Sequence, residues 1–126
     1  MTKQQTKQQI KKKKEAVHKV AIELQNKMKL QSYSLRIKYE DMKYDEEDTA
    51  MTVYADIDYL RIVIYINNST LNENMSAIRA YLCHELTHVI MEPIVLIARG
   101  ATSPNCMPDF IRRLENSVEH ISRLID

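Results

Sequence analysis

Apolar positions recur along this chain with two different periods, and the switches between them outline its elements. Val17, Val20, Ala21, Leu24 and Met28 return at helical spacing, which predicts an amphipathic helix from about Ile10 to Leu30. The polar residues 1–9 before it are expected to be disordered. Leu35, Ile37 and Tyr39 then alternate with Ser34, Arg36 and Lys38, the period of a half-buried strand. After an acidic, loop-like stretch from Asp41 to Asp48, Met51–Asp56 alternates again and Arg61–Ile66 is rich in β-branched residues. These two read as a hairpin joined around Asp56–Leu60.

From Met75 to Met91 there is neither Pro nor Gly, and Met75, Ile78, Leu82, Leu86 and Val89 form one helical stripe. Asn72, Glu73 and Asn74 supply N-cap candidates. Pro93 is expected to end this helix and to bias Glu92 out of it. Ile94–Ala98 then reads as a helical turn or a packed loop, and Gly100–Met107, with the only glycine, as a turn region. A last helix is expected over Pro108–Ile125, striped by Ile111, Leu114, Val118, Ile121 and Ile125. The fold class expected is α+β, a single domain over residues 10–126: an N-terminal helix, a small three-stranded sheet and two further helices.

Length and charge narrow the picture. A chain of 126 residues suits one domain with a modest core. No uninterrupted run of 18 apolar residues and no apolar segment near Met1 is present, so neither a membrane span nor a secretory signal is expected, and a cytoplasmic location is. Two cysteines, Cys83 and Cys106, cannot form a disulfide framework, and Cys83 reads as a small buried hydrophobe. The net charge of +1 hides an asymmetry, because residues 1–31 hold nine lysines against two glutamates. The run Lys11–Lys14 is expected to be a solvated helix end. With no aromatic residues interleaved, nucleic acid is not the expected partner, and a basic-arm nucleic-acid-associated protein is kept only as an alternative.

The chemistry concentrates in His84-Glu85-Leu86-Thr87-His88. Four residues advance a helix by about 400°, so His84 and His88 leave the same side and can reach one ion, with Glu85 beside them. A catalytic zinc needs a third protein ligand, and His18 and His120 are distant in sequence. Carboxylates of the last helix are better placed. On a helical wheel Glu115 lies about 80° from the centre of the apolar stripe and Glu119 about 120°. Glu115 is therefore the expected ligand, and Glu119 the acceptor of a ring N–H, from His84. The alternatives are an exchange of roles between Glu115 and Glu119, or two surface glutamates serving the nearby Arg112 and Arg123.

With these motifs the chain resembles the gluzincins, zinc metallopeptidases with a glutamate ligand. Leu82–Ile90 is similar to the active-site helix of thermolysin-like enzymes, and Glu115-Asn116-Ser117-Val118-Glu119 to their glutamate helix. In size the chain is closer to minimal zincins and to short metallopeptidase-like proteins of bacteriophages, which admits a phage or prophage origin. The metzincin extension is absent, since Met91 stands where its glycine would be. Leu114 replaces the Asn that often precedes the family's ligand Glu. The resemblance implies a zincin-like fold, Zn²⁺ as cofactor and a peptide or protein as substrate, with Glu85 as general base in peptide-bond hydrolysis. Tyr81 is the candidate for a transition-state or substrate contact, with His120 and Arg99 behind it. The strand around Val53–Asp56 is the candidate substrate-binding rim. The rival reading is a non-catalytic, zinc-stabilised binding module.

Overall fold

A computed structural model describes residues 6–42 and 49–126. It is an α+β structure: α1 (Lys7–Lys27), β1 (Ser34–Glu40), β2 (Met51–Asp56), β3 (Arg61–Asn67), α2 (Met75–Ala101) and α3 (Met107–Ile125), with short 3-10 turns at Asn68–Asn72 and Pro104–Cys106. The first helix starts earlier than the apolar pattern suggests. Thr6 accepts from the Gln9 backbone N–H and Gln9 Oε1 accepts from the Thr6 N–H at 2.9 Å, a capping box that orders residues 6–9. These four residues were expected to be disordered; residues 1–5 lie outside the described part. Gln25 closes the other end by donating to the Leu30 and Tyr33 carbonyls at 3.0 and 2.8 Å.

The strands lie in the order β1-β3-β2, with β3 parallel to β1 and antiparallel to β2, so the expected hairpin is present. Leu35, Ile37 and Tyr39 stand opposite Ile62, Ile64 and Ile66, which in turn face Ala55, Val53 and Met51. This face is covered by helices, and the three isoleucines are fully buried with Val17, Ala21 and Leu24 of α1 and Ile78, Leu82, Leu86 and Val89 of α2. Asn67 donates to the Met42 and Thr49 carbonyls at 2.8 and 3.0 Å and so ties down both flanks of residues 43–48. The expected acidic loop falls mostly on those six residues, outside the described part.

Two expectations about α2 fail. Pro93 does not end it: the helix continues to Ala101, keeping Glu92 helical and placing Gly100 in its last turn rather than in a loop. Proline's fixed φ is compatible with a helix; what it removes is the bond to the Val89 carbonyl. The second half of the helix is held by buried Val95 and closed by the Thr102 hydroxyl, which donates to the Ala98 carbonyl at 2.6 Å. As a result α2 has the length and composition to cross a membrane, although no uninterrupted apolar run exists; 33% of that stretch is buried inside the fold. Pro93→Ala should restore the missing bond and stabilise the protein by about 1 kcal/mol or more. Urea denaturation and slower amide exchange over residues 94–101 would register the gain.

Candidate metal centre

Helix α2 faces the sheet with Ile78, Leu82, Leu86 and Val89, and the adjoining arc carries His84, Glu85, His88 and Glu92. Asn74 starts the helix by accepting from the Ala77 N–H at 2.8 Å. Helix α3 runs antiparallel along α2, and the contacts between them form a ladder. Asp126 meets Arg79, Ser122 meets Cys83, Glu119 meets His84, and Glu115 meets both His84 and His88. Arg79 is held by both Asp126 oxygens at 2.7 and 2.9 Å, and the Cys83 thiol donates to the Ser122 carbonyl at 3.3 Å. Val118 is fully buried in this seam.

The last rungs form a compact donor set. Glu115 Oε2 lies 3.4 Å from His84 Nε2 and Glu115 Oε1 lies 3.2 Å from His88 Nε2, with the two imidazole centroids 5.1 Å apart. One ligand atom from each of His84, His88 and Glu115 fits within 4.8 Å of the others. His84 Nδ1 sits 2.8 Å from Glu119 Oε2. The hydrogen bond from His84, and then the ion pair with Arg123 at 2.9 Å, hold the Glu119 carboxyl below its ordinary range. An ionised carboxylate only accepts, so Nδ1 donates to Glu119, which leaves Nε2 as the nitrogen turned toward Glu115. Burial also lowers the His88 pKa, opposed by the charge of Glu115.

Beside the donors is a cleft of about 300 Å³ lined by Met51, Thr52, Val53, His84, Glu85, His88, Glu92 and Glu115. Burial raises the Glu85 carboxyl from 4.5 to about 7; His84 opposes this, Glu115 adds to it, and the Val53 backbone N–H opposes it. A larger hollow of about 590 Å³ between α2 and α3 is bordered by Arg79, Cys83, Glu119 and Asp126. Its two arginines are already matched, Arg79 by Asp126 and Glu23 and Arg123 by Glu119, so it lacks the converging free donors of the smaller cleft.

His84, His88, Glu85, Glu115 and Glu119 therefore come together at one place in the fold. Tyr81 does not join them. Helical side chains lean toward the N-terminus, and the Tyr81 hydroxyl donates to Glu73 at 2.8 Å, away from the cleft. His120 and Arg99 are exposed and do not line it either. The expected rim is shifted: β2 is an edge strand, but Met51–Val53 border the cleft rather than Val53–Asp56. Glu92 was missed because Pro93 was expected to end the helix; it stands one turn beyond His88, and its spacing was the available signal.

Comparison with known proteins adds no relative: no family model, curated protein or solved structure matches the chain.

The raised Glu85 pKa has a consequence for the metal-free protein. The native state retains a proton on Glu85 that the unfolded chain gives up near pH 4.5, so this group's stabilising contribution is complete below 4.5 and fades as pH rises through about 7. Glu85→Gln should therefore stabilise the metal-free protein by on the order of 2 kcal/mol at about pH 8. The advantage should vanish below pH 4.5, as read by urea denaturation across that range.

Proposed function

We propose that the chain is a zinc-dependent peptide hydrolase with a zincin-like arrangement of the gluzincin type. The reading rests on one observation: His84, His88 and Glu115, from two helices, aim their donor atoms at a common point on the wall of an open cleft. The spacing suits the ion. Zinc–ligand bonds of about 2.0–2.1 Å in a tetrahedron separate neighbouring donors by about 3.3–3.4 Å. The histidine–carboxylate distances are 3.2 and 3.4 Å, each to a different Glu115 oxygen, and one donor atom per residue brings all three within 4.8 Å. Two neutral imidazoles and one carboxylate, with a second carboxylate orienting a ring, are also the donor chemistry of catalytic zinc.

When bound, zinc would supply a Lewis acid for the scissile carbonyl and make nearby water a better nucleophile at neutral pH. The chain's own residues account for the rest. Glu85, on the cleft wall beside the donor set, takes one proton from the attacking water as its oxygen bonds to the carbonyl carbon. As the C–N bond breaks, Glu85 passes that proton to the leaving amine. Glu119 holds the His84 ring in the tautomer that presents Nε2. The Met51–Val53 edge borders the cleft where an extended peptide backbone can lie alongside the strand.

The purified protein should bind about one equivalent of zinc, and Glu115→Ala and His88→Ala should abolish that stoichiometry. Glu119→Ala should weaken binding by about ten- to a hundredfold. Glu85→Ala should retain the zinc and lose at least about a hundredfold of hydrolysis, measured on an unstructured protein such as casein. Zinc binding with no turnover, indifferent to Glu85, would instead favour the non-catalytic zinc-stabilised module. Failure to bind zinc would end both readings.

A further inference from the structure

The helices cover only one face of the sheet, and the other face has its own chemistry. Its outward positions form rows across the three strands: Ser34–Arg61–Asp56, Arg36–Val63–Tyr54 and Lys38–Tyr65–Thr52. Cations stand on β1 and at the start of β3, aromatic rings on β3 and β2. Tyr54 is 60% exposed, and Tyr59, in the turn joining β2 to β3, is 71% exposed. Lys38 Nζ lies 5.9 Å from the centre of the Tyr65 ring and the Arg61 guanidinium 5.4 Å from that of Tyr59. Among the described residues Arg36, Lys38 and Arg61 enter no ion pair, and the acids on this face, Glu40 and Asp56, stand near its ends. The basic character continues around the β1 edge, where Lys14 of α1 caps the Tyr39 ring at 4.6 Å and Lys11 lies beside it.

We infer that this solvent-facing side of the sheet is a docking surface for single-stranded nucleic acid. Unmatched cations interleaved with flat rings, Tyr54 and Tyr59 exposed and Tyr65 half-buried, suit a chain of phosphates carrying unstacked bases. The spacing agrees: Tyr54 and Tyr65 are diagonal neighbours on adjacent strands, about 7–8 Å apart, the scale of successive bases in an extended strand. An acidic peptide or an anionic lipid surface would use the cations alone and leave the rings idle. A duplex hides its base faces, and the flat sheet projects no helix into a groove. The surface lies on the opposite side of the sheet from α2, so the inference is independent of the metal centre. The linear sequence conceals it, because the rings and cations come from three separate strands.

The test is fluorescence anisotropy of the full chain, with EDTA present, against a fluorescein-labelled oligothymidylate about 15 nucleotides long and a duplex of equal length. The single strand should bind at low salt and more tightly than the duplex. Tyr54→Ala combined with Tyr65→Ala should weaken binding at least about tenfold, and Tyr54→Ala alone about threefold or more. The single variant decides if the double variant loses its circular-dichroism signature. Arg36→Gln with Lys38→Gln should reduce the slope of log affinity against log salt by about 1.4. Absence of binding would overturn the inference, as would equal affinity for the duplex. It would also fail if affinity fell with Lys11→Gln and Lys14→Gln while the tyrosine variants bound normally, since that pattern belongs to a plain polycation on α1.

Discussion

The antiparallel register of α3 on α2 is the constraint on which the site depends. Glu115 reaches His84 and His88 because Glu119, Ser122 and Asp126 occupy successive rungs against His84, Cys83 and Arg79. A slip of one residue would rotate Glu115 by about 100° and carry it off the donor set. Several unlike interactions oppose that slip. The Arg79–Asp126 pair fixes one end through two hydrogen bonds, the buried Val118 packs in the middle, and the Cys83 thiol is matched to a carbonyl. The specificity of the register thus comes largely from groups outside the donor set.

Helix α2 presents two unlike faces within about two turns. Leu82, Leu86 and Val89 are dry against the sheet, while His84, Glu85 and His88 must remain reachable from the cleft. Glu85 lies on the boundary, between the buried stripe and the open arc, and its raised pKa follows from that position. Moved further outward, the carboxyl would be solvated and ionised at neutral pH. Moved further inward, it would remain protonated and out of reach. The Val53 N–H limits the effect by offering the ionised form one donor. A destabilising contribution to the metal-free fold and a group tuned near neutrality are two aspects of the same placement.

Much of this could be read from the sequence, for identifiable reasons. Period-two and helical stripes revealed the strands and α-helices of the described residues, because each such element commits one face to burial. The wheel put Glu115 further inward than Glu119, yet the two are about equally exposed, so it is the register of α3 on α2 and not burial that brings Glu115 to the histidines. The misses share a cause: each depends on tertiary context or local geometry that a stripe does not encode. Pro93 is tolerated because Val95 packs beyond it, Thr6 begins α1 through a polar capping box, and Tyr81 leans toward Glu73 instead of the cleft. Glu92 was lost with the end of the helix. The outer face of the sheet was invisible because parallel pairing of β1 with β3 assembles it from distant segments.

Strand β2 connects the two faces. Its inward residue Val53 lies at the cleft and offers its N–H to Glu85, while its neighbour Tyr54 points outward onto the aromatic surface. A period of two makes this dual use available to any edge strand, but it also makes the strand intolerant of slippage. Moving β2 by one residue against β3 would put Val53 in solvent and Tyr54 under α2, disturbing both faces together. Pairing with Ile64 opposite Val53 and Val63 opposite Tyr54 resists this, because a one-residue slip takes Met51, Val53 and Ala55 off the buried isoleucine row. The central strand, with no side chain in the cleft, thereby sets the position of the edge that borders it.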